Sequence, residues 1–387
     1  MAEPARDNNA ARDALRVLAI GMGWYPHNQG NGLDRVFHAL TEFERAAPLL
    51  IRPVVVSSVE QPASRVRIVD ESLSLPRRLA GIREVFETEK SGIDLVASHF
   101  ALYAYPILGR LGELPYVVHF HGPWAAESRL EGAGRISVAA KRWVEGRVYR
   151  RADRIIVLST SFRRILETEY RIPPARVEVI PGGVDLERFG AAPSRAEARS
   201  TLGWPGDRPI VLSVRRLVNR VGVDNLVSAV AQIRKEVPDV LVLIAGRGPL
   251  ESVLRQQIEE LGLSDHVSLV GFVPEEHLPT AYAAADLSVV PSVGLEGFGL
   301  IAAESLAAGT PAVVTPVGGL PEVVTGLSAD LVCDGTSAAS IADRIIALLR
   351  GHLPLPSGRD CREFARRNYD WEDVVRRTWS VYAGLIR

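Results

Sequence analysis

Glu296 and Glu304 bracket a short turn, Gly297-Phe298-Gly299, that opens a helical pattern. The two glycines let the backbone approach a ligand without interference from Cβ. A helix that starts at such a turn presents free N–H groups and the positive end of its dipole to an anion. An apolar run follows at Ala312–Val314, then a second glycine pair, Gly318-Gly319, and a third carboxylate, Glu322. The segment thus holds two helix starts suited to phosphate and three acids within one βα unit. Amides for phosphates and carboxylates for hydroxyls are the groups a nucleotide-diphosphate sugar needs. An ordinary buried αβ unit with two surface glutamates is the competing reading.

A basic loop, Arg215-Arg216-Leu217-Val218-Asn219-Arg220-Val221-Gly222, follows an apolar run ending at Val214; it reads either as a solvated connection between strand and helix or as a place to hold an anion. A guanidinium suits that task because it can make two parallel charge-assisted bonds to phosphate oxygens. The Gly246/Gly248 pair after Leu241–Ala245 marks a tight turn and by itself says little about ligands. In the first half, His119-Phe120-His121-Gly122 ends an apolar strand pattern, and alternation sends His119 and His121 to one face. Two histidines there are a sugar-hydroxyl or phosphate contact, a metal pair lacking an evident third ligand, or structural groups. His99 follows another strand pattern that ends at Ser98. The stretch 129–154 is rich in arginine, which suits either a solvated helix face or an anionic membrane surface.

Short apolar runs alternate with amphipathic helices, a pattern for parallel α/β sheets. Strands are expected at Arg16–Gly21, Pro53–Ser57, Asp94–Ser98, Tyr116–His119, Arg154–Leu158 and Val177–Ile180. A second set is expected at Ile210–Val214, Val240–Ala245, Val267–Val270, Leu287–Val290 and Ala312–Thr315. Helices are expected at Leu33–Ala46, Leu75–Glu89, Arg135–Arg150 and Ser159–Tyr170. The chain of 387 residues calls for two domains. The Gly- and Pro-rich stretch between Pro181 and Pro209 contains the boundary and suits a linker with a helical turn. The expected order is a disordered leader 1–14, a domain at 15–190, a linker at 191–208, a domain at 209–368 and a last amphipathic helix at 369–387, with Trp371, Val374, Val375, Trp379 and Leu385 spaced for a buried face. A net charge of −1, 47% hydrophobic and 24% charged residues exclude a nucleic-acid coat and fit a globular protein. No run nears the roughly 18 apolar residues of a membrane span. Cys333 and Cys361 have no metal-type spacing, which fits a reducing cytoplasm.

The segment Glu296–Glu322 closely resembles the donor-binding signature of the family 4 retaining glycosyltransferases: Glu, seven residues, Glu, then a Gly-Gly loop. The resemblance implies a GT-B fold, α/β with two Rossmann-like domains facing each other across a cleft and a last helix, at 369–387, that crosses back onto the first domain. It implies donor-sugar contacts for Glu296, amides from Phe298, Gly299 and Leu300, and a ribose diol on Glu304. Arg216 matches the diphosphate-clamping arginine of the family's Gly-Arg-Leu…Lys-Gly motif. Here Arg215 replaces the glycine and Val221 the lysine, so Arg220 or Arg215 must add the missing charge. Backbone at Phe272 and Val273 would hold the base. His121 matches the histidine placed beside the donor sugar, and the amide of Gly32 would face the phosphates. Trp24, Tyr25, His27, Asp34 and His99 are expected on the acceptor side. The absence of an Asp-x-Asp triplet points to a metal-independent site with no cofactor beyond the sugar nucleotide as co-substrate. The implied activity is transfer of a hexose with retention, UDP-sugar favoured and GDP-mannose next. The acceptor is a hydroxyl on a small polar metabolite or natural product, or on a lipid-linked glycan. Nucleic acid is not an expected partner; a cytoplasmic enzyme with peripheral membrane contact through 129–154 is compatible. A sugar-nucleotide epimerase, a phosphorylase and a non-catalytic nucleotide-sugar binder remain alternatives.

Overall fold

The computed structural model describes residues 14–26, 32–58 and 65–386. His27 and the expected leader, apart from its last residue, lie outside them. The chain divides into two compact units, Met1–Pro181 with Trp371–Arg387, and Gly182–Asp370.

Among the described residues, the first unit is built on seven parallel strands: β1 (Leu15–Ile20), β2 (Leu49–Ser57), β3 (Arg67–Asp70), β4 (Leu95–Ser98), β5 (Tyr116–Phe120), β6 (Arg154–Val157) and β7 (Val177–Val179). Their order is β3-β2-β1-β4-β5-β6-β7. Near-continuous apolar runs such as Val17–Ile20 and Leu95–Ala97 are buried throughout, as helices on both faces of a parallel sheet require. β2 begins at Leu49, before the expected Pro53; its neighbour β3 pairs only from Val54 onward, so the proline sits outside that ladder. β3 was not expected: among its four residues only Val69 is buried, too little to show a period.

The helix expected at Leu33–Ala46 stops at Glu42, and a 3₁₀ turn covers Glu44–Ala46. The turn directs the buried Glu44 carboxylate at the backbone N–H of Ile51, 2.9 Å away. The C-terminal helix, Trp371–Ala383, belongs to this unit and buries Trp371, Val374, Val375, Thr378 and Tyr382. That face follows helical spacing, with Tyr382 rather than the expected Trp379 and Leu385 at its end.

The second unit has five parallel strands: β8 (Ile210–Val214), β9 (Leu241–Ala245), β10 (Val267–Gly271), β11 (Leu287–Val290) and β12 (Ala312–Val314), in the order β10-β9-β8-β11-β12. The segment 191–208, expected as a linker, is part of this unit. Ser194 and Glu197 close a capping box on a helix at Arg195–Leu202. From that helix the buried Arg199 donates to Asp286 at 2.7 Å and to the Ala284 carbonyl at 2.9 Å. The helical turn expected in this stretch is thus a helix of two turns, and the Ser-x-x-Glu spacing is its signal in the sequence. Among the described residues no helix is long and apolar enough to cross a membrane.

Candidate active site

In the second sheet the strand order reverses direction between β8 and β11, and in open α/β sheets ligands bind at the carboxyl ends of strands beside such a switch. Arg215 follows β8 directly, while Ser292 and Glu296 follow β11. One Arg215 Nη2 donates to Ser292 Oγ at 2.9 Å and to Glu296 Oε2 at 2.8 Å, and the Ser292 hydroxyl donates to the same carboxylate oxygen at 2.9 Å. Thr315 Oγ1, from the end of β12, anchors the Ser292 carbonyl at 2.6 Å. Burial of Glu296 favours its neutral form, but the charge and hydrogen bond of Arg215, the charge of Arg220 and the Ser292 hydroxyl outweigh it. The carboxyl is therefore held below its usual range.

Backbone contacts lock the strand-end loops to each other. The N–H of Gly319 donates to the Glu296 carbonyl at 2.9 Å, and Gly318 has φ +58° with a carbonyl oxygen of Glu296 where its Cβ would be. This corrects the expectation of a second phosphate-ready helix start. The Gly318-Gly319 pair braces the Glu296 loop from behind, and the helix after it is only Leu320–Val324. The first helix start does stand as expected. Gly299, at φ +91°, caps a helix at Leu300–Ala308, and the N–H groups of Gly299, Leu300 and Ile301 have no acceptor among the described residues. Phe298 is buried against Tyr369, with ring centroids 5.4 Å apart, so its side chain serves packing. Glu304 is also buried, and Tyr282 donates its hydroxyl to it at 3.4 Å.

Arg216 is exposed and its guanidinium has no partner among the described residues. Arg220 contacts the Leu295 carbonyl at 3.4 Å. Phe272, exposed, and Val273 follow Gly271 at the end of β10. Ser292, Thr315 and Tyr282 were missed by sequence reasoning. Ser292 lies four residues before Glu296, a short polar residue at a strand end, and only the fold reveals its contacts.

In the first unit the order reverses between β1 and β4. His99 after β4, His119 in β5 and His121 after it form one stack. His99 and His119 lie 4.2 Å apart at 11°, and His99 and His121 5.1 Å apart at 23°. His99 Nδ1 and His121 Nε2 share a hydrogen bond of 2.9 Å; His119 Nε2 and the Tyr382 hydroxyl share one of 2.6 Å. Burial pushes the His121 imidazole down to about 3. Burial and the neighbouring His121 do the same to His119, and burial with both neighbours lowers His99. All three are neutral at physiological pH, with ring nitrogens bonded to one another and to a tyrosine.

The residues expected on the acceptor side are placed as follows. Asp34 is fully buried and accepts the N–H of Gly23 at 2.9 Å, fixing the turn after β1. Trp24 is buried edge-on to Phe37 and His38. His99 is buried and engaged with His121. Tyr25 is partly exposed, and Gly32 is an exposed first residue of the helix Gly32–Glu42.

Residues 21–188 match the family model Glycosyltransferase Family 4, and residues 194–368 match the model Glycosyl transferases group 1. A GDP-mannose-dependent alpha-(1-6)-phosphatidylinositol monomannoside mannosyltransferase from Mycobacterium tuberculosis is 35% identical over 211 residues, 52% of this chain and 54% of the relative. The chain therefore spans about half the length of that relative. A D-inositol 3-phosphate glycosyltransferase from Segniliparus rotundus is 31% identical, covering 95% of this chain and 85% of the relative. The structure of sucrose-phosphate synthase from Thermosynechococcus elongatus superposes with a TM-score of 0.78 at 24% identity, over 96% of this chain and 99% of that one. The two parallel α/β sheets are those of the GT-B glycosyltransferases, and the chain belongs to the family 4 glycosyltransferases.

Proposed function

We propose that the protein is a retaining glycosyltransferase that moves a hexosyl group from a nucleotide-diphosphate sugar to a hydroxyl of an inositol-bearing acceptor. The observation that carries this reading is the Arg215–Ser292–Glu296 cluster beside the open helix start at Gly299–Ile301. It sets an oriented carboxylate next to amides that can receive phosphate oxygens. In the reaction the bond from the anomeric carbon to the β-phosphate oxygen breaks. The acceptor oxygen attacks on the same face and passes its proton to the departing phosphate. The protein's part is placement and charge stabilisation. Arg216 and the helix amides take the phosphates, Glu296 and His121 orient the sugar, and Glu304 is the candidate for the ribose. No metal is assigned a step.

The name of the mycobacterial relative moves GDP-mannose ahead of the UDP-sugars that the sequence favoured. Inositol occurs in the names of both relatives. A lipid-borne acceptor is favoured by the helix Arg135–Arg151, where Ile136 is 89% and Trp143 54% exposed. Arg147 and Arg150 continue the same helical face.

The test is a transfer assay with GDP-mannose and UDP-hexoses, offered inositol 3-phosphate in one arm and phosphatidylinositol vesicles in the other. Transfer with an α-linked product from an α-donor is expected, strongest to the vesicles. Glu296→Ala and Arg216→Ala should lower the rate at least about 100-fold, in the range found when a charge-stabilising group is removed. No transfer to either acceptor, or full activity in Glu296→Ala, overturns the reading.

A further inference from the structure

Position 221 cannot supply a cation in this fold. Val221 is 2% exposed, and Gly222 after it is held at φ +66° against the Pro291 carbonyl. The side chain at 221 thus belongs to the core, and a charge needed at the donor site must come from elsewhere. Two arginines are close. Arg220 meets Glu296 only through its field and bonds a backbone carbonyl at 3.4 Å. Arg215 is bound tightly: its side chain is 8% exposed, and one nitrogen spans Ser292 and Glu296. Its Nε–H is buried and has no hydrogen-bond partner among the described residues. A buried charged donor without a partner is costly, and an incoming anionic oxygen would remove that cost.

We infer that Arg215 is a donor-recognition and positioning residue: its Nη2 fixes Glu296, and its Nε–H donates to an oxygen of the donor diphosphate, replacing the cation absent at position 221. The inference rests on the glycosyltransferase reading above. A glycine at 215 could do neither task. The two roles separate by chemistry, because a lysine keeps the positive charge beside Glu296 but has no Nε–H.

The experiment measures GDP and UDP affinity by calorimetry and the pH dependence of kcat/KM for Arg215→Met, Arg215→Lys and Arg220→Met, with melting curves for each. Arg215→Met should weaken diphosphate binding about 10- to 100-fold, as for loss of a charged hydrogen bond. Its acid limb should move to higher pH, since Glu296 loses the charge that keeps it ionised. Arg215→Lys should leave the acid limb near its wild-type position yet bind diphosphate several-fold more weakly. It carries the test if Arg215→Met does not fold. Wild-type affinity in either Arg215 variant, with the loss appearing in Arg220→Met instead, overturns the inference alone. Wild-type protein that binds neither nucleotide overturns the parent reading, and this inference with it.

Discussion

Single side chains divide here into those that meet a ligand and those that hold others in place. His121 is the first kind in the proposed reaction, and His99 and His119 are the second. The physical reason lies in burial. An imidazole taken out of water resists protonation, and at His99 the two imidazoles stacked beside it add repulsion. His121 is held down at about 3 and therefore stays a neutral hydrogen-bonding group above roughly pH 4. It follows that kcat/KM measured from pH 5 to 8 should show no limb near 6.5 assignable to His121. A limb there that vanishes in His121→Asn would show a titrating histidine and contradict the stacked, neutral arrangement.

Elements act through their ends. Strands β8, β9, β11 and β12 stop at loops that are tied together by backbone hydrogen bonds, among them Arg215 N–H to Ala245, Val293 N–H to Arg220 and Gly319 N–H to Glu296. Such ties make the carboxyl edge of the sheet a rigid platform for the Glu296 loop. Gly318 has little tolerance for substitution, since a side chain there meets both a left-handed backbone and the Glu296 carbonyl. Gly318→Ala should cost about 1–3 kcal/mol in denaturant unfolding. It should also lower kcat more than it weakens nucleotide binding, because it displaces Glu296 rather than the phosphate amides. Wild-type stability and rate together in this variant would remove the bracing role.

At the scale of the whole molecule, stability follows pH through buried carboxyls. Glu145, fully buried in the first unit, accepts from Tyr170 at 2.8 Å, Tyr149 at 3.3 Å and the N–H of Ala125 at 3.4 Å. Burial lifts it to about 7 although these donors pull it down. The folded state thus holds a proton that the unfolded chain releases near the ordinary carboxyl range, so its contribution falls as pH rises from about 4.5 to 7. Glu145→Gln, which keeps an acceptor for the tyrosines, should flatten that decline. Melting curves at pH 5 and pH 7.5 should show the variant gaining several degrees on wild type at the higher pH. An equal difference at both values would mean that Glu145 does not titrate in this range.

Much of the architecture was legible because it depends on local patterns. Runs such as Val211-Leu212 and Val242–Ile244 are apolar because both faces of a parallel strand are covered. The glycines at 299 and 318 mark turns because few other residues tolerate a left-handed backbone. The spacing of Glu296 and Glu304 around a helix start is likewise written in consecutive residues. What only the tertiary structure decided is which distant groups meet. Arg215 and Glu296 are 81 residues apart and His119 and Tyr382 are 263 apart. Asp34 went to a buried turn and Val221 to the core, because burial depends on neighbours from other strands and helices. The sequence by itself determined a pair of α/β sheets and marked the stretch proposed here for a phosphate-bearing ligand. Tertiary packing decided which arginine holds the carboxylate, because a hydrogen bond across 81 residues leaves no local pattern.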